Sequence, residues 1–156
     1  MIHRQSKAWG LIAALWVLVG VMLQSAPAYA QDALDLEAYR GKIVWVDFWA
    51  SWCTPCRRSF PWLNEVMAKY SDQGLVIVGV NVDKERALAE DFLRETPARF
   101  PIVYDPEGAM AAKYEVLGMP SSFLIDRDGN VIASHIGFRR DERENYEASI
   151  AKALSN

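Results

Sequence analysis

A chain of 156 residues holds one domain with a short appendage. About half of it is apolar (51%) and a quarter charged (24%), which excludes intrinsic disorder. Its formal charge of −3, carried without any basic run, excludes a nucleic-acid binder.

The first thirty residues form a unit of their own. His3, Arg4 and Lys7 make a short basic start, and an uncharged apolar run from Ala8 to Leu23 follows. The stretch ends in Ala28-Tyr29-Ala30, the small-x-small pattern that signal peptidases cut. Residues 1–30 read as a signal peptide, with the mature chain beginning at Gln31. At sixteen residues the run falls short of the ~20 a membrane-spanning helix needs, although an uncleaved leader would serve as an anchor. No cysteine lies near the cut, which argues against a lipoprotein. Without Arg4 and Lys7 the remaining chain carries 15 Lys and Arg against 20 Asp and Glu, a formal charge of −5.

Beyond the leader, Leu34 and Leu36 punctuate a polar stretch and are placed to tuck onto the edge of the domain. Residues 43–49, Ile-Val-Trp-Val-Asp-Phe-Trp, predict a strand buried on both faces, with a single acid, Asp47, inside it. After Ala50-Ser51-Trp52-Cys53-Thr54-Pro55-Cys56 the spacing of Phe60, Leu63, Met67 and Tyr70 predicts a helix, with Pro55 in its first turn and Pro61 kinking its interior. Gly74 closes that helix, and 75–82 predicts a second buried strand. A charged helix follows over 84–95, with Leu88, Phe92 and Leu93 as its apolar positions. Residues 100–104 predict a short strand or extended piece and 108–114 a short helix. Strands at 122–125 and 131–136 are joined through Arg127-Asp128-Gly129-Asn130, where Asp-Gly is a hairpin signal. A last helix opens at Asp141, with Glu144 three later as a capping box, and carries the stripe Tyr146, Ile150 and Leu154.

The chemistry lies in the two cysteines, Cys53 and Cys56. A bridge between residues three apart closes almost no loop and constrains the unfolded chain very little, so the pair reads as chemistry rather than as a staple. Disulfide exchange needs a thiolate that attacks and a second thiol that resolves the mixed disulfide. A strand ending just before a helix presents Cys53 at the helix N-terminus, where unpaired N–H groups and the dipole favour the thiolate. Cys56 lies one turn further in as the resolving thiol. Trp52 shields the pair and Pro55 holds the turn.

Residues 46–56, Val-Asp-Phe-Trp-Ala-Ser-Trp-Cys-Thr-Pro-Cys, resemble the active-site segment of thioredoxins, and Pro61 is similar to the kinking proline of the thioredoxin helix. Gly118-Met-Pro-Ser-Ser-Phe-Leu-Ile-Asp126 resembles the loop that carries the family's cis-proline. The leader and the long centre from Asn81 to Tyr104 resemble the TlpA/ResA/CcmG group of periplasmic thiol-disulfide reductases. The resemblance implies a thioredoxin fold over 31–156: a central mixed sheet flanked by helices, with a TlpA-like central insertion. It implies a cis Met119–Pro120 bond beside Cys53, substrate contacts from Trp52, Gly118 and Met119, and no cofactor or metal beyond the redox-active disulfide. It further implies a periplasmic protein whose partners are exported proteins with disulfides or Cys-x-x-Cys motifs, of the apocytochrome c or copper-site kind, while the short acidic surface points to a monomer. A membrane electron donor of the DsbD/CcdA type would keep it reduced.

Asp47 has two readings. It is a buried carboxyl with a raised pKa that exchanges a proton with Cys56, or a strand-edge charge paired with solvent; the cost of burying an acid in so apolar a run favours the first. The sequence departs from the family here, since many TlpA-like members have asparagine at this position and a glutamate after the second strand. That glutamate aligns best with Lys84, which leaves Glu85 as a weaker proton carrier. Arg57 and Arg58 read as helix surface, Trp49 as core and His135 as structural. Thr54-Pro55 puts no charge between the cysteines, which favours a reductase over an oxidase or isomerase. From other classes, a peroxidase would want a threonine before its cysteine, where Ala50-Ser51-Trp52 stands. A Cu(I) carrier, possible with two thiolates, would need neither Asp47 nor the proline.

Overall fold

The computed structural model describes residues 34–156. The leader and its cleavage site lie outside the described residues. Among those that are described, no helix is long and apolar enough to cross a membrane.

In chain order the elements are β1 (Ile43–Trp49), α1 (Thr54–Tyr70), β2 (Leu75–Asn81), α2 (Arg86–Glu95), β3 (Ile102–Tyr104), α3 (Ala109–Lys113), β4 (Ser121–Ile125), β5 (Val131–Ile136) and α4 (Arg143–Ser155). The strands form one sheet in the order β3-β2-β1-β4-β5. The pairs β1–β2 and β2–β3 are parallel, whereas β1–β4 and β4–β5 are antiparallel. This is the helix-flanked mixed sheet that the sequence resemblance implies.

The continuous apolar run of β1 has its physical counterpart in cover on both faces. Ile43, Trp45 and Trp49 face a core built with Phe60, Leu63 and Val66 of α1, Ala89 and Phe92 of α2, and Tyr146 and Ile150 of α4. Val44, Val46 and Phe48 face the other way, onto Val78 and Val80, with Met110 and Tyr114 from the α3 side and Leu34 and Leu36 at the margin. The alternation is the two-residue period of a strand, and it puts Asp47 on the first of these faces, under α1.

Some expectations need correcting. Leu88 is exposed, because the inward face of α2 is made by Ala89 and Phe92 instead. The capping box at Asp141 does not form: α4 begins at Arg143 after a 3-10 turn and has no side-chain cap, while Asp141 pairs with Arg139. Val82 lies beyond the end of β2, as do Phe100 and Pro101 before β3. As expected, Pro61 lies inside α1; it faces solvent, and the Arg57 carbonyl that loses its partner there belongs to an exposed residue.

Candidate active site

β1 is the central strand and delivers the chain from the middle of the sheet to the start of α1. Cys53 is the N-cap of that 17-residue helix, and its Sγ accepts a hydrogen bond from the Cys56 N–H at 3.2 Å. Pro55 fills the first turn, where its missing N–H costs nothing. The two cysteines are joined as a disulfide with their Cα atoms 5.3 Å apart. Cys56 is fully buried, Cys53 retains 3% exposure and Thr54 faces solvent. Trp52, just ahead of them, is 69% exposed, so it stands beside the disulfide rather than closing over it. The positive end of the helix favours a thiolate at Cys53 in the reduced protein.

Asp47 lies in the sheet with 1% exposure. One of its oxygens accepts a 2.6 Å hydrogen bond from Ser122 Oγ, and the other has no partner. The Trp45 indole N–H is near the carboxyl but outside hydrogen-bonding geometry. Loss of water outweighs these contacts and pushes the Asp47 pKa up to about 7. Cross-strand pairing sets the neighbourhood: Asp47 is opposite Gly79 on β2 and Ser122 on β4, and Ser122 is opposite His135 on β5. Space at Gly79 is tight: a Cβ there would sit 2.8 Å from the terminal methyl of Ile102 and 3.1 Å from the Trp49 indole nitrogen, so those side chains would have to give way.

The Met119–Pro120 bond is cis, and Pro120 is buried at the mouth of β4. Its carbonyl accepts from Gly137 N–H at 2.7 Å, and Ser121 Oγ donates to the Gly118 carbonyl at 2.7 Å, so the loop is tied on both sides. Met119 is half-buried against the core cluster that contains both cysteines. Gly118 is half-buried beside Ile136.

The remaining sequence candidates fall elsewhere. Lys84 and Glu85 are exposed at the approach to α2, and Lys84 reaches toward Glu107 instead. Arg57 pairs with Glu95 at 2.8 Å and covers the Phe92 ring, while Arg58 is on the surface. Trp49 is core, in edge contact with Phe60. His135 stacks on Trp45 with 5.6 Å between ring centroids, and burial holds its pKa below the usual value.

Sequence reasoning missed Ser122 and the group centred on Asp83. The Asp83 carboxylate, 5% exposed, accepts from Ser51 N–H and Ser51 Oγ at 2.8 Å each and from Asn81 Nδ2 at 2.7 Å. It thereby ties the loop that carries Trp52 and Cys53 to the end of β2. The only trace in the sequence is an acid two residues past a buried strand's last polar residue, a pattern shared by many solvated loops.

Residues 23–134 match the model of the AhpC/TSA family. The chain is 34% identical over 110 residues to the thiol-disulfide oxidoreductase ResA of Bacillus thuringiensis. It is 41% identical over 112 residues to the protein of the same name from Geobacillus thermodenitrificans. These alignments take in 70% and 69% of this chain and 64% of each relative's length. In three dimensions it is similar to a Chlorobium tepidum protein provisionally named thiol:disulfide interchange protein DsbE. That match has a TM-score of 0.75 and 48% identity, and covers 76% of this chain and 84% of the other.

Proposed function

Since the chain belongs to the AhpC/TSA family and has the thioredoxin fold, we propose that it is a thiol-disulfide oxidoreductase that reduces disulfides in exported proteins. The observation that carries this reading is the Cys53–Cys56 disulfide at the start of a long helix, on the same face of the sheet as the buried Asp47.

The reduced protein is the starting form. The Cys53 thiolate attacks one sulfur of the substrate disulfide; the substrate S–S bond breaks, and the departing thiolate takes a proton from solvent. The mixed disulfide that remains is resolved from inside. Cys56 gives its proton to the Asp47 carboxylate and attacks Cys53 Sγ, the second substrate thiolate leaves, and two electrons have passed to the substrate. A carboxyl whose pKa is about 7 is suited to both halves of this exchange. Trp52, Thr54, Pro55 and the Gly118–Met119–Pro120 loop surround the attacking sulfur, with Trp52 and Met119 gripping the substrate chain.

The leader directs the protein to the periplasm, where a membrane dithiol donor of the DsbD/CcdA type keeps it reduced. Disulfides and Cys-x-x-Cys pairs of apocytochrome c or of copper-site proteins are its substrates. The uncharged Thr54-Pro55 pair supports reduction rather than oxidation, because nothing between the cysteines selectively stabilises the dithiol form. The test is the reduction potential of the Cys53–Cys56 pair, equilibrated against glutathione or dithiothreitol. We expect a value near or below the thioredoxin reference of about −270 mV; one near the DsbA reference of about −120 mV would make the protein an oxidant.

A further inference from the structure

A cleft of about 250 Å3 is lined by the residues of α1 that directly follow Cys56 in the chain and by the segment that follows β5. One wall is the first turns of α1 after Cys56, with Arg57 (paired with Glu95), Arg58 and, further along, Glu65. The other wall begins at Phe138, one residue past the glycine whose N–H is bonded to the Pro120 carbonyl, and continues to Arg140 and Arg143. Trp62 and Phe138 form an apolar floor between them, with ring centroids 5.6 Å apart and both rings nearly buried.

The cleft gathers four arginines, Arg57, Arg58, Arg140 and Arg143. Arg40, Arg57, Lys69, Arg94 and Arg139 are each committed to a neighbouring carboxylate. Arg58, Arg140 and Arg143 have no ion pair among the described residues. The only carboxylate lining the cleft is Glu65. Three guanidinium groups without a carboxylate partner therefore line one small cleft, Arg143 Nε donating only to the Arg140 carbonyl, on a chain whose formal charge beyond the leader is −5. Guanidinium forks match carboxylates in geometry as well as charge. A basic cleft on an acidic surface also steers an approaching acidic chain toward itself.

We propose that this cleft binds an acidic segment of the substrate protein, lying next to the disulfide that Cys53 attacks. The proposal rests on the reductase reading and gives its substrates a recognisable chemistry. The carboxylates meet Arg58, Arg140 and Arg143, an apolar side chain of the same segment rests on Trp62 and Phe138, and the substrate disulfide reaches Cys53.

The test uses two labelled peptides with the same internal disulfide, one with four glutamates beside a cysteine and the other with four glutamines. Binding to the oxidised protein is read by fluorescence anisotropy, and reduction by the reduced protein is read as a second-order rate. The glutamate peptide should bind, and be reduced, at least tenfold better at about 20 mM salt. The advantage should shrink toward one at about 200 mM salt, where screening shortens the reach of surface charges. The Glu-to-Gln ratio should also fall to near one in Arg58→Gln/Arg140→Gln/Arg143→Gln. If that variant fails to fold, the salt dependence of the wild type and the single change Arg140→Gln, with a partial loss of the ratio, decide the matter. Equal binding and rates for the two peptides in the wild type would overturn the acidic docking site while leaving the reductase reading intact. Arginine-dependent binding of the glutamate peptide without any reduction would keep the docking site and sink the redox reading. Sedimentation with phosphatidylglycerol vesicles that depends on the arginines, with no preference between peptides, would assign the cleft to a membrane surface and overturn the proposal.

Discussion

Asp47 is the residue on which stability and chemistry pull in opposite directions. In the unfolded chain it loses its proton near pH 3.8, whereas in the fold it keeps the proton until about pH 7. Between those values the folded state binds more protons, so stability falls as pH rises through that window and levels off above it. At about 1.4 kcal/mol per pH unit the total is at most about 4 kcal/mol. Asp47→Asn retains a hydrogen-bond acceptor for Ser122 and removes the charge. We expect its urea midpoint to exceed the wild-type value at pH 8 and to match it near pH 4. The same substitution should slow resolution of the mixed disulfide about a hundredfold, and the limb near pH 7 should vanish from the stopped-flow pH profile. Asp83 presents the opposite case, a buried carboxylate with all its contacts made. Asp83→Ala strands the Ser51 N–H and hydroxyl and the Asn81 amide, with an expected loss of about 1–3 kcal/mol in denaturant unfolding. Asp47 was legible in the sequence because an acid inside an all-apolar strand is an anomaly. Ser122 was not, because only the β1–β4 register puts it opposite Asp47, and Asp83 was hidden among the ordinary acids of a loop.

At the scale of elements, the seam between β2 and the core is closely filled at Gly79 by the side chains of Ile102, Phe100 and Trp49. Gly79→Ala would drive a Cβ against Ile102, Phe100 and the Trp49 indole at 2.8–3.1 Å, and we expect thermal unfolding to show a cost of about 1–3 kcal/mol. The strands were the most legible elements, since runs such as 43–49 have no alternative to burial on two sides. Helix faces were legible where large residues recur, as with Phe60, Leu63 and Tyr70 on α1. They were misread where a small residue makes the contact: Ala89 faces inward and Leu88 outward on α2, a choice that the neighbouring layer makes and local hydropathy does not. The start of α4 was misread for a related reason. Asp141 had two possible partners, the helix backbone and Arg139, and the charged one is the one it takes.

For the whole molecule, a mixed sheet was implied by resemblance rather than by local pattern, and its strand order was not legible, because that depends on pairings between segments as distant as β1 and β4. Those pairings put the start of α1 and the loop before β4 at the same end of the sheet. The burial of the two sulfurs then gives the reduced protein an asymmetry at its surface. With one equivalent of iodoacetamide, mass spectrometry should find the adduct on Cys53, while Cys56 reacts only after unfolding. The bond from Ser51 N–H to Asp83 bears on the time axis of the molecule. Ser51 lies in a loop, yet its amide is held by a carboxylate that is almost fully buried and anchored at the end of a central strand. In deuterated buffer that amide should trade its hydrogen as slowly as the amides of β1 and β2, and far more slowly than those of the turn at Asp128. The platform under Cys53 would then stay shut through many encounters, and any rearrangement that disulfide exchange demands would fall to the incoming chain.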